Sequence, residues 1–270
     1  MSHLTVPGAS LYYEVTGSGP VLLMIAGGTD DARDYADVAP LLADAYTVVT
    51  YDCRGNSRSH PDDPSLDVPV EVHADDAHRL LLAVGEDPAF VFGNSSGAQI
   101  GLALTATNPG GVHTVVAHEP PAAKLLPDGD PRRELPEEVY DLYRQYGAGP
   151  AISALAAGTG LAGGPAPESP QAAERMQDKL ARMGDNVEFF LAHTALQFTT
   201  FLPDIARLGA ASSRVVVAVG EGSAGQFAHD AGLALAGRLG TKTEPFPGGH
   251  SAPVTHPTAF ARKLREVLRV

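Results

Sequence analysis

Short apolar runs alternate with longer amphipathic segments along this chain. The runs at 21–25, 46–51, 89–92, 112–117 and 215–219 carry almost no polar residue and are too short for helices, as expected of strands buried on both faces. A run at 11–15 adds an early strand, closed by the turn Gly17-Ser18-Gly19-Pro20, and 242–246 reads as the last strand. Between them, 32–43, 70–84, 98–107, 226–239 and 257–268 repeat apolar positions at helical spacing, with Val72, Leu80 and Val84 among the inward positions of the second. Strands alternating with helices predict an α/β fold, a mostly parallel twisted sheet with helices on both faces. The alternation stops from residue 120 to about 210. There the chain shows helical stretches at 137–146 and 171–183, a Pro/Gly-rich connector at 158–170 and no clear strand. An insertion between two core strands sits at the strand C-terminal ends, where open α/β sheets bind ligands. The expected organisation is a core of residues 1–119 and 211–270 with a helical cap or lid of residues 120–210.

Composition narrows the partners. With 19 Lys and Arg against 32 Asp and Glu the formal charge is −13, so phosphate backbones and anionic membranes are disfavoured. Cys53 is the one cysteine, which excludes an internal disulfide or a multi-cysteine metal site. The amino-terminal residues carry neither a basic nor an apolar signal region, and no apolar run approaches the ~20 residues that span a bilayer. A cytoplasmic protein is expected. The oligomeric state is not written in the sequence.

The chemistry concentrates at two places. Gly93-Asn94-Ser95-Ser96-Gly97 lies between a predicted strand and a small-residue helix. In that context Gly-x-Ser-x-Gly is a nucleophile elbow: the serine sits at a strained strand-to-helix turn, and the glycines avoid clashes with neighbouring backbone. Ser95 takes the apex, and the Ser96 N–H, at the helix start, faces a developing oxyanion. Neither this segment nor Gly27-Gly28 carries a dinucleotide or P-loop fingerprint. Gly249-His250 follows the last strand, where a serine–acid–histidine order needs its general base. His3, His60, His73, His78, His113 and His229 read as ordinary strand, loop or helix positions, and His193 as a surface position of the lid. No metal-ligand spacing is present, so neither a metal nor a cofactor is expected.

Together with Asp52, Arg54, Gly55, Ser57 and Ser59 in one loop, these motifs resemble the α/β-hydrolase family over nearly the whole chain. The resemblance implies a capped serine hydrolase. It also implies a second oxyanion donor in Ala26-Gly27-Gly28-Thr29, assigned to the Gly28 N–H. One position departs from the family. Where an aspartate usually follows the strand at 215–219, this chain has Ser223 within Gly220-Glu221-Gly222-Ser223. One subgroup of haloalkane dehalogenases and the zearalenone-type lactonases place the acid after the earlier strand instead. Here that position reads His118-Glu119-Pro120-Pro121, similar to the His-Glu-x-Pro of those lactonases, so Glu119 is preferred over Glu221 as the acid. Dehalogenases and epoxide hydrolases of this fold attack with an elbow aspartate, and position 95 is serine.

The expected activity is cofactor-independent hydrolysis of a carboxylic ester or lactone through an acyl-enzyme on Ser95. Phe190, Phe198 and Phe201 share a helical face with Thr194 and favour a small, partly apolar substrate. Asp30 and Asp31 suit a helix N-terminus better than a substrate contact, and Arg54 and Arg58 suit loop pinning better than a substrate carboxylate. The rival readings are a lyase, cyclase or cofactor-free oxygenase built on the same groups, and a non-catalytic small-molecule receptor.

Overall fold

The computed structural model describes residues 2–85, 88–160 and 165–269. Every residue of Val21–Ile25 (β3) and of Ala89–Asn94 (β6) is buried, because helices cover both faces of the sheet. The remaining strands are Ser2–Val6 (β1), Ala9–Gly17 (β2), Thr47–Tyr51 (β4), His60–Pro61 (β5), Val112–His118 (β7), Arg214–Gly220 (β8) and Glu244–Phe246 (β9). Among the described residues the order is β1-β2-β4-β3-β6-β7-β8-β9, with β5 on β2. From β4 to β9 all pairings are parallel, and β1, β2 and β5 add an antiparallel margin.

Alternate side chains of β3 build two cores. Val21, Leu23 and Ile25 pack with Val70–Val84 (α2) and Ser96–Thr107 (α3). Leu22 and Met24 pack with Leu42 of Ala39–Leu42 (α1) and with Phe260 and Leu264 of Pro257–Leu268 (α11). Phe227–Leu239 (α9) covers β8 on the α3 side, and Ala252–Thr255 (α10) links the loop after β9 to α11.

Three details differ from the sequence expectation. The helix expected over 32–43 is a single turn, Ala32–Tyr35, followed by the short α1. Pro40 lacks the N–H that would reach back to Ala36, and its ring would meet that carbonyl, so the chain restarts its helix there. Val72 is exposed, and α2 instead turns His73, Ala74, Ala77, Leu80 and Leu81 inward. These follow the spacing from Val70, which leaves Val72 to one side of the stripe. The strand β1 carries no apolar run because it is an edge strand whose residues are mostly open to solvent.

Between β7 and β8 lie Leu135–Tyr146 (α4), Ala148–Thr159 (α5), Pro170–Phe189 (α6), Ala195–Thr200 (α7) and Ile205–Ala210 (α8). Of the 158–170 connector, residues 161–164 lie outside the described residues. The helix α6 passes into α7 through a widened π turn, Phe190–Thr194. That turn and the end of α6 lie over the loops that follow β3 and β4. A Cβ on Gly28 would stand 2.2 Å from the Phe190 ring, and one on Gly55 1.9 Å from Phe189. No helix among the described residues is long and apolar enough to cross a membrane.

Candidate active site

The turn from β6 into α3 places Ser95 at φ 55° and ψ −121°, a conformation that costs a non-glycine residue about 1–3 kcal/mol. Close backbone packing enforces it. A Cβ on Gly93 would lie 2.1 Å from the Gly97 carbonyl oxygen, and one on Gly97 2.2 Å from that of Ile25. The Ser95 N–H donates to the His118 carbonyl at 2.9 Å, which ties the turn to the end of β7.

The next residue along β7 is Glu119, fully buried, with φ 49°. Its Oε2 lies 2.6 Å from His250 Nδ1. Its Oε1 accepts the Gly220 N–H at 2.9 Å and the Ser223 hydroxyl. Burial alone would raise the Glu119 pKa. The hydrogen bond and charge of His250, the His118 ring and the Ser223 hydroxyl outweigh it and bring the carboxyl down to about 2. Glu119 is therefore ionised and aimed at the imidazole. Glu221, the other acid considered from sequence, is exposed, and among the described residues its backbone N–H alone is engaged, with Phe246 O at 2.9 Å. Ser223, at the position after β8 where the resemblance would place an aspartate, donates its hydroxyl to Glu119 at the end of the neighbouring strand β7.

The Gly28 and Ser96 N–H groups make no hydrogen bond among the described residues, and both residues line one cavity of about 10 Å³. The Gly28 carbonyl is held by Asn56 Nδ2 at 2.7 Å. Among the described hydrogen bonds none joins Ser95 Oγ to His250. Catalytic contacts of this type commonly tighten in the substrate complex.

The structure also places residues that the sequence did not single out. Lys179 of α6 is buried against Asp30 at 2.5 Å and against Asp34. Burial opposes its charge, but the two carboxylates prevail and hold its pKa above the usual lysine range. Asn186 Nδ2 donates to Thr29 O at 2.8 Å, and its Oδ1 accepts the Ser57 N–H at 2.8 Å. No helical periodicity marks these groups, because their partners lie more than 120 positions away in the chain. Asp31 caps the 32–35 turn through the Arg33 N–H at 2.9 Å and pairs with the Arg33 side chain. Arg54 is bound to Asp76 at 2.6 and 2.8 Å, and Arg58 to Asp52 at 2.7 and 2.8 Å, so both pin loops. Cys53 is packed inside, where burial raises its thiol to about 12. Asn94 Oδ1 lies 2.7 Å from His118 Nδ1.

The family model for the alpha/beta hydrolase fold matches residues 20–257. The chain belongs to the α/β-hydrolase family. The uncharacterized hydrolase YraK of Bacillus subtilis is 34% identical over 271 residues, covering 98% of this chain and 94% of its own. A zearalenone hydrolase of Cladophialophora bantiana is 28% identical over 278 residues, covering 98% of this chain and 95% of its own. Among solved structures, a thermophilic esterase from Thermogutta terrifontis superimposes with a TM-score of 0.76 at 21% identity, over 100% of this chain and 98% of the esterase. That match is one of fold.

Proposed function

We propose that the protein hydrolyses a small carboxylic ester or lactone through an acyl-enzyme on Ser95, without a cofactor. His250 takes the Ser95 proton as the hydroxyl attacks the carbonyl carbon, and returns it to the leaving alcohol. Glu119 holds the imidazole by its Nδ1 and stabilises the imidazolium that forms. The N–H groups of Gly28 and Ser96 receive the oxyanion. Water, deprotonated by His250, then releases the acid. In a lactone the leaving alcohol stays on the acyl chain, so the product is a hydroxy acid. The α4–α8 segment acts as the cap over residues 1–119 and 211–270.

The observation that carries this reading is the 2.6 Å contact from Glu119 to His250 beside the strained Ser95 turn. The ester and lactone class is supported by the zearalenone hydrolase relative and by the apolar roof of Phe190 and Phe198. The test is a fluorophosphonate probe with p-nitrophenyl ester turnover. Labelling confined to Ser95, and loss of both label and turnover in Ser95→Ala, is the expected result. Labelling without turnover of any ester or lactone points to a non-hydrolytic enzyme, and no labelling at all overturns the nucleophile.

A further inference from the structure

Two buried polar atoms of side chains against Phe198 have no hydrogen-bond partner among the described residues. His73 is 2% exposed, its ring stacks on Phe198 at 5.1 Å between centroids, and its Nε2 makes no hydrogen bond. Gln99 is fully buried, its Nε2 reaches only Phe198 O at 3.4 Å, and its Oε1 is unpaired. Buried polar groups are nearly always hydrogen-bonded, and those that are not need an explanation. His73 lines the cavity shared by Gly28 and Ser96, with Thr194 and Phe198 of the α6–α7 stretch on its walls.

Resting on the serine-hydrolase reading, we propose that this cavity is the subsite for a hydroxyl carried on the acyl portion of the ester or lactone substrate, hydrogen-bonded to His73.

The strand order sets which side of the substrate lies here. Ser95 follows β6. His250 and Glu119 approach from the β7–β9 side, and the cavity lies on the β3–β4 side, at Gly28, Cys53 and Arg54. The leaving oxygen must face His250, which gives it a proton, so the rest of the acyl group points toward β3 and β4. The cavity volume, about 10 Å³, suits one water-sized group, which a hydroxyl is and an alkyl chain is not.

The electrostatics select a neutral group. Arg54 also lines the cavity, but Asp76 neutralises it through two hydrogen bonds. A substrate carboxylate there would find Arg54, the one cationic side chain on the cavity wall among the described residues, already paired. Burial, with the Arg54 charge added, drives the His73 pKa down to about 3, so the imidazole is neutral at working pH. A neutral imidazole nitrogen either gives or takes one hydrogen bond according to tautomer, and a hydroxyl meets either demand.

The experiment compares p-nitrophenyl butyrate with its 2-hydroxy and 3-hydroxy analogues, each rate corrected for the ester's own reactivity toward hydroxide. The wild-type protein is expected to favour one hydroxy ester at least ~10-fold in kcat/KM, because a site built to bond a hydroxyl rejects the analogue without one. His73→Phe keeps the stacking on Phe198 but has no nitrogen, and its ratio is expected to fall to about one. His73→Gln, which restores a hydrogen-bonding group, regains part of the preference. Equal wild-type values for the three esters overturn the subsite and leave His73 a structural residue, a result that needs no variant to fold. Retention of the preference in His73→Phe overturns it equally. Failure of the underlying reading looks different: no ester is consumed and Ser95 takes no fluorophosphonate label.

Discussion

At the scale of single residues, the candidate acid is the informative position. Glu119 and Glu221 were both possible from sequence, and the His-Glu-x-Pro pattern favoured the first. The Nδ1 contact of His250 is made by Glu119, while Glu221 points into solvent. Glu119→Gln keeps the shape but loses the charge that fixes the imidazole tautomer. The expected effect is a fall in kcat of roughly 10³–10⁴-fold on a p-nitrophenyl ester. Glu221→Gln is expected to stay within about twofold, as surface substitutions usually do. Steady-state kinetics of the two variants check both statements, and the reverse pattern would transfer the role to Glu221. Ser223 stood out in the sequence only as a missing aspartate. Its positive role, a hydroxyl given to Glu119, needs the β7 and β8 ends side by side, which no local pattern announces.

At the scale of elements, the strand-to-helix turns were legible and the cap contacts were not. The elbow reads from the Gly-x-Ser-x-Gly spacing; the Gly97 carbonyl requires glycine at 93 within the motif, while glycine at 97 is required by the Ile25 carbonyl of neighbouring β3. The helix α11 was placed at its observed limits, since its apolar stripe is strong and a proline opens it. The break at Pro40 is not visible in the apolar spacing of 32–43, which continues through it; only the missing N–H marks it. Helix α6 and the π turn after it grip the loop after β3 at three points: Lys179 on Asp30, Asn186 on Thr29, and Phe190 over Gly28. The loop carrying the proposed Gly28 donor is thereby held by the α6–π-turn stretch. Asn186→Ala leaves the Thr29 carbonyl and the Ser57 N–H without these partners. The expected cost is about 1–3 kcal/mol of stability, read from urea unfolding. A lower kcat with little change in KM is expected as well, since a displaced oxyanion donor acts mainly on the transition state. Unchanged kcat in a folded Asn186→Ala variant would detach the cap from the oxyanion loop.

At the scale of the whole molecule, burial of titratable groups sets an acid limit on stability. His73 and His118 stay neutral in the fold, with pKa values near 3 and 4; burial is the main cause for each, with the charge of Arg54 added for the first, and for the second the opposed effects of Glu119 and His250. The unfolded chain protonates both near pH 6.5, so below that pH it binds more protons than the folded protein and stability falls with acid. Glu119 adds to the same trend lower down. Its folded pKa of about 2 lies below the ordinary 4.5, and its contribution, on the order of 3 kcal/mol, is present above pH 4.5 and lost as the pH falls toward 2. The melting temperature is therefore expected to drop steadily from pH 6.5 to pH 4 and more steeply below, with a shallower slope in His73→Phe. A flat profile over that range, measured by calorimetry, would contradict these assignments. By itself the sequence determined the α/β alternation, the insertion between two core strands, the glycine-bounded serine turn and a histidine after the last strand, because each follows from periodicity or local sterics. The tertiary structure alone decided which carboxylate meets that histidine, how Lys179 and Asn186 hold the β3 loop, and which buried polar atoms lack partners. Those outcomes depend on side chains brought together from opposite ends of the chain, and contact at such separation is fixed by packing of the whole sheet and its cap.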